Sequence, residues 1–315
     1  MSVGARPLVP SRLAPGGIGH GSRRTPRTLI GGYIALTKPR IIELLLITTV
    51  PTMIVAEGGW PSTRLVLITL LGGTLAAGGA NAINMYVDRD IDKLMVRTQG
   101  RPLVTGLIEP GKALAFACAL QVLAFAVLWS GANLLSACLA LSAALFYVFV
   151  YTLWLKRTSR QNIVIGGAAG AVPVLVGWAA VQNNVTWAPV LLFVIMFLWT
   201  PPHFWALAIR HIDDYRAANV PMLPAVAPLA QVLRQMLAYT VVMVAATLLL
   251  IPVAHLGAVY GIGAAVFGGL FISGMLALSR NPDPQKAMRL FGYSISYVTL
   301  LFGIMTLDVL VRHGF

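Results

Sequence analysis

Negative charge is scarce in this chain. It has ten Asp and Glu in 315 residues, and only 10% of its residues are charged, whereas soluble domains carry about 25%. With 58% hydrophobic residues, no water-soluble core could hide so much apolar surface. A soluble enzyme is therefore excluded, and a polytopic membrane protein is predicted. Cysteine is nearly absent too: Cys118 and Cys138 form no CxxC pair, which excludes a disulfide framework. Both fall inside apolar runs and read as small packing residues. Residues 1–28 lack an apolar stretch long enough for a secretory signal. They hold Pro7, Pro10, Pro15, Pro26 and five arginines. The prolines and glycines would break an amphipathic transit helix, so a mitochondrial destination is disfavoured. The expectation is a disordered basic cytoplasmic arm over 1–28 and one membrane domain over 29–315.

What is present is apolar runs of spanning length. Runs of roughly 17–25 residues number nine, near 41–58, 64–86, 112–130, 133–154, 162–181, 187–208, 235–254, 256–278 and 290–311. His255–Leu256–Gly257 separates the seventh and eighth, which predicts a helical hairpin there. If the N-terminus is cytoplasmic, 21 of the 23 Lys and Arg fall on the inner side, and only Arg64 and Arg312 fall outside. That bias supports both the count and the orientation. It also explains most of the net charge of +13 without nucleic acid, because the basic residues are spread over five loops. Some of the charge can still serve anionic lipid or an anionic substrate.

The few acids are not scattered. Asp88, Asp90 and Asp92 lie in the 2–3 loop, about 87–111. Asp213 and Asp214 lie in the 6–7 loop, about 209–234. Both loops belong to the same membrane face, so the chemistry is predicted there. Asn84, Asp88 and Asp92 are spaced i, i+4, i+8 and drift only about 40° per step on a helix, so they share a stripe. Asp90 points elsewhere. Carboxylates at a membrane boundary are costly without a partner. Three hard oxygen ligands in register suit Mg²⁺, which usually arrives with phosphate. The bland alternative is a solvated helix end whose acids pair with nearby arginine and lysine.

Arg97 and Arg101 follow in the same loop and match phosphate geometry, although positive-inside charge alone would also place them there. Of Asp213 and Asp214, only one can face the first cluster, and Asp214 is preferred as a second metal ligand. Pro201 and Pro202 are predicted to interrupt the sixth helix and free backbone carbonyls, as is tolerated beside a cavity. His203, with Trp199, Phe204 and Trp205, makes either an aromatic pocket with one polar group or an interfacial belt. Lys156, Arg157, Arg160 and Asn162 precede a run of small residues, Gly166 to Ala171, that lets helices approach closely.

Taken together, LTKPRIIELLL (36–46), NMYVDRDIDKLMVRTQGRPL (84–103), LKRTSRQNIVIGGAAGA (155–171), WTPPHFWALAIR (199–210) and DYRAANVPMLP (214–224) resemble the UbiA superfamily of intramembrane prenyltransferases. Within it they resemble the protoheme IX farnesyltransferase (heme O synthase) branch. Ala171–Val174 departs from a Pro-Pro pair common in that branch, which removes no chemical group. The resemblance implies an all-α bundle of nine transmembrane helices around a central cavity that opens to lipid. It implies farnesyl diphosphate as donor, heme B as acceptor and Mg²⁺ as cofactor. It assigns Mg²⁺ and diphosphate to Asn84, Asp88, Asp92 and Asp214 as catalytic and metal residues. Arg40, Arg97, Arg101, Lys156, Arg157 and Arg210 become candidates for diphosphate or propionates, and His203 and His211 for heme contact. It further implies a bacterial inner membrane location and a link to heme A synthase or terminal oxidase assembly. Three other readings remain: a UbiA-type enzyme acting on an aromatic acid or quinone precursor, a transporter, and an oxidase assembly factor.

Overall fold

The computed structural model describes residues 26–313. A short helix α1 (Pro26–Thr37) precedes α2 (Pro39–Glu57), α3 (Thr63–Val87) and α4 (Pro110–Gly131). Next come α5 (Leu134–Thr158), α6 (Asn162–Gln182) and α7 (Trp187–Arg210). Two short helices, α8 (Ile212–Ala217) and α9 (Leu223–Val226), lead to α10 (Leu229–Val253), α11 (Ala258–Arg280) and α12 (Pro284–His313). Among the described residues nine helices, α2 to α7 and α10 to α12, are long and apolar enough to cross a membrane. They match the nine expected runs one for one. The seventh and ninth start earlier than expected, because apolar counting stops at Arg234 and Arg289 while the helix continues through them. A helix end can carry such charged turns beyond the hydrocarbon.

Neighbours in sequence pack side by side. α3 lies against α4, α5 against α6, α6 against α7, α7 against α10, and α11 against α12. α2 closes the ring by touching α3, α6 and α12. Glycines allow the closest approaches: a Cβ on Gly177 would lie 2.8 Å from the Thr49 carbonyl of α2, and one on Gly167 would meet Thr200 of α7 at 2.6 Å. The two polar loops, 88–109 and 211–228, therefore share one end of the bundle.

The far end shows how a buried acid is satisfied. The chain turns between α10 and α11, as expected at His255–Leu256–Gly257. Asp308 of α12, 1% exposed, accepts hydrogen bonds from the Gly257 N–H at 2.6 Å and the Tyr260 N–H at 3.2 Å. Its carboxylate thus caps α11, whose first N–H groups have no helical partner, and Arg312 stands 3.8 Å away. Asp308→Ala is expected to cost about 1–3 kcal/mol. Thermal unfolding in detergent measures this, and an unchanged midpoint would contradict the cap.

Several expectations change. α1 begins at Pro26, inside the expected disordered arm, and the rest of that arm, 1–25, lies outside the described residues. Pro201 and Pro202 sit within α7 without interrupting it; tight packing of this segment, buried from Trp199 to His203, holds the helix across the two missing N–H donors. Cys118 and Cys138 are exposed on the outer faces of α4 and α5 and fill no core.

Candidate active site

The acid stripe forms at the end of α3, though not on one helix. α3 stops at Val87, and Asp88 is its C-cap. Two hydrogen bonds, from the Asp88 N–H to the Asn84 carbonyl and from the Asp92 N–H to the Asp88 carbonyl, both 2.9 Å, carry the i, i+4 step past the helix end. Asn84, Asp88 and Asp92 are all buried, at 2%, 0% and 2% exposure. The register read from the sequence survives, although Asp92 stands in a short 3₁₀ turn (Ile91–Lys93).

Each buried group meets a cation. Asn84 Oδ1 accepts from Lys38 Nζ at 2.7 Å, and its Nδ2 donates to Asp88 Oδ2 at 2.8 Å and to Thr152 Oγ1 at 3.1 Å. Asp88 Oδ2 also pairs with Lys156 Nζ. Asp92 Oδ2 pairs with Arg101 at 2.6 Å, and its backbone carbonyl accepts from Thr98 Oγ1 at 2.8 Å. Asp88 Oδ1 is buried with no hydrogen-bond partner. A bare carboxylate oxygen beside a carboxamide and a second carboxylate fits a hard divalent cation. Among the described residues no group of three or more His, Cys, Asp or Glu is close enough to hold one alone. Such an ion would need oxygens from its phosphate ligand as well, which is how Mg²⁺ is usually bound.

Lys38 was not expected. It precedes Pro39, and a residue before proline is pushed out of helical geometry. It adopts φ 54°, ψ 64° between α1 and α2, and that break turns its amine onto Asn84. Burial, together with the charges of Arg101 and Lys156, lowers its pKa to about 7, while Asp88 and Asp92 pull the other way. Thr152 was also missed. It lies in a π-helical stretch of α5, Phe146–Leu155, where i→i+5 bonding shifts the face that side chains present. Such stretches cluster at functional sites, and no hydropathy pattern announces them.

The second loop reaches the first. Asp214 Oδ1 accepts from the Val96 N–H at 3.1 Å, and Arg97 lies over the Tyr215 ring at 6.0 Å. Asp213 is exposed, so Asp214 is the acid that faces the first loop. His211 stands 3.8 Å from Asp214, with its pKa lowered by burial and by Arg97. Asp90 does point away: Arg157 grips it with two hydrogen bonds of 2.7 Å and holds its carboxyl down to about 2. Arg157 is thereby engaged at the surface. Arg40 and Arg210 are exposed on the same end of the bundle. His203 is not at the loops. It is buried, stacked on Trp199 and Phe291, and its Nδ1 lies 2.6 Å from Ser294 Oγ, which makes it part of the α7–α12 contact. A cavity of about 380 Å³ opens between Ile209, Arg216, Pro228 and Leu278 and includes none of the stripe acids.

A model of the UbiA prenyltransferase family matches residues 45–301. The chain belongs to the UbiA prenyltransferase family. A Clavibacter sepedonicus protein named protoheme IX farnesyltransferase is 54% identical over 284 residues, 89% of this chain and 92% of that protein. Among solved structures, a digeranylgeranylglyceryl phosphate synthase matches with TM-score 0.75 at 18% identity, over 90% of this chain and 99% of that one. A UbiA homologue from Archaeoglobus fulgidus bound to GPP and Mg²⁺ matches with TM-score 0.61 at 19% identity, over 87% and 99%. At these identities the structural matches show the fold. This UbiA family member is thus an intramembrane prenyltransferase with a ring of nine spanning helices among its described residues.

Proposed function

We propose that this enzyme transfers the farnesyl group of farnesyl diphosphate to a vinyl group of protoheme IX, adds water, and releases diphosphate. The observation that carries the acceptor and donor is the 54% identity to a protein of that name across nearly the whole chain. The chemistry is supported by the buried Asn84–Asp88–Asp92 stripe and its three cations. Asn84, Asp88 and Asp92 would hold Mg²⁺, with Asp214 completing the site from the second loop. Magnesium bound there would neutralise charge on the departing diphosphate.

The chain's own residues do the rest. Lys38, Lys156 and Arg101 stand beside the acids and offer N–H donors to phosphate oxygens. Arg97 and His211 lie where the two loops meet, next to Tyr215 and Asp214, and Arg40 and Arg210 add positive charge at the rim. The bundle keeps water from an allylic cation and gives two long apolar substrates a place to meet. No protein nucleophile is required: the heme vinyl group supplies the electrons. The alternation of basic and nearly uncharged loops along the sequence supports cytoplasmic loops in a bacterial inner membrane. The product then passes to heme A synthase or terminal oxidase assembly.

The second reading, prenylation of an aromatic acid or quinone precursor, is supported by the breadth of the family alone. Purified enzyme is incubated with labelled farnesyl diphosphate and either heme B or 4-hydroxybenzoate. Label is expected in heme only. Label in the benzoate and none in heme rejects the proposal.

A further inference from the structure

Asn162 opens α6 and is completely buried. Neither its Oδ1 nor its Nδ2 has a hydrogen-bond partner. Its backbone N–H bonds the Ser159 carbonyl at 3.1 Å, so the main chain is anchored while the carboxamide is spare. Leaving such a group unpaired in an interior is costly, and an apolar residue of equal size would remove the cost. The side chain therefore has a partner that the polypeptide does not supply.

Its position points to the reaction site. Gly166 lies one turn further along α6, and a Cβ there would run into the Tyr151 ring. Asn162 shares that face by the i, i+4 rule and lies nearer the loop end. Tyr151 is adjacent to Thr152, which takes the hydrogen bond of Asn84. The spare carboxamide thus lies one helical turn from the contact between α6 and the Tyr151–Thr152 segment, and Thr152 borders the acid stripe.

Its chemistry selects the partner. A carboxamide offers an acceptor and two donors together. Phosphate and carboxylate only accept, and Lys38, Lys156, Arg97 and Arg101 already meet that need. Water both gives and accepts, so it matches the carboxamide. Resting on the heme farnesylation above, we infer that Asn162 positions the water molecule consumed in the reaction. When C1 of the farnesyl group bonds to the terminal vinyl carbon, positive charge is left on the vinyl carbon attached to the porphyrin. The water oxygen gives a lone pair to that carbon and forms the C–O bond. The surplus proton passes to the released diphosphate. Without a held water, the cation sheds a proton from the adjacent CH₂ and becomes an alkene, lighter by one water molecule.

The test uses purified full-length enzyme, farnesyl diphosphate, heme B and water labelled with heavy oxygen, with products read by mass spectrometry. Wild type is expected to give the labelled alcohol. Asn162→Leu is expected to lower the alcohol-to-alkene ratio by roughly ten-fold or more, and Asn162→Ser, which keeps a hydroxyl and leaves room for water, to restore much of it. A thermal midpoint for Asn162→Leu at or above wild type shows an intact fold. An unchanged product ratio in folded Asn162→Leu overturns the inference. A raised KM for heme with an unchanged ratio also overturns it and makes Asn162 an acceptor contact. If wild type farnesylates no heme at all, the proposed function falls, and this inference falls with it.

Discussion

Asp88→Asn is expected to lower farnesyl transfer by about 10²–10³-fold or more, the usual cost of removing one preorganised electrostatic contact. The change is nearly isosteric, so packing around the fully buried side chain is kept. It removes the charge that Lys156 pairs with and the free oxygen, Oδ1, that fits a divalent cation. The loss should fall on kcat, with a smaller change in KM for heme, because the aspartate meets the departing group and not the acceptor. Steady-state transfer in proteoliposomes measures it at several Mg²⁺ concentrations. A variant that keeps more than a tenth of wild-type kcat at saturating Mg²⁺ would remove Asp88 from the site.

Lys156→Met should be the most destabilising single change at this end of the bundle. Lys156 is 16% exposed and Asp88 is fully buried, so the variant strands a buried carboxylate. Breaking such a pair from one side costs about 3–5 kcal/mol. Lys38 lies close enough to raise its own charge in compensation, which favours the lower end of that range. The double variant Lys156→Met/Asp88→Asn removes both charges. Its thermal midpoint should return close to wild type while transfer stays absent. This recovery of stability without activity separates a folding role from a catalytic one. If the single variant unfolds at the wild-type temperature, the ion pair carries no folding energy.

The spans were legible because hydropathy reports burial in lipid directly: each apolar run became one helix. The acid stripe was legible because Asn84, Asp88 and Asp92 keep their register even after α3 ends. Lys38 was written in the sequence as a lysine before Pro39, yet its direction depends on a left-handed residue that propensity does not announce. Thr152 needed the π-helical turn. His203 carried the residue type of a site, but its packing against Ser294 and Phe291 depends on a helix distant in sequence and could not be read from its own segment. The cysteines failed for a related reason: in a membrane bundle, an apolar position inside a helix can face lipid as readily as a neighbour.

The ion pairs at the stripe also bear on how ligands enter. Asp88 and Asp92 are already neutralised by Lys156 and Arg101. A cation arriving alone at the open Asp88 Oδ1 adds positive charge beside those bases, and a diphosphate arriving alone must draw them away from the acids. When both arrive together, every charge changes partner and none is left over. The architecture therefore favours linked uptake, in which each ligand tightens the other by the same factor, and a resting site that discourages either from binding by itself.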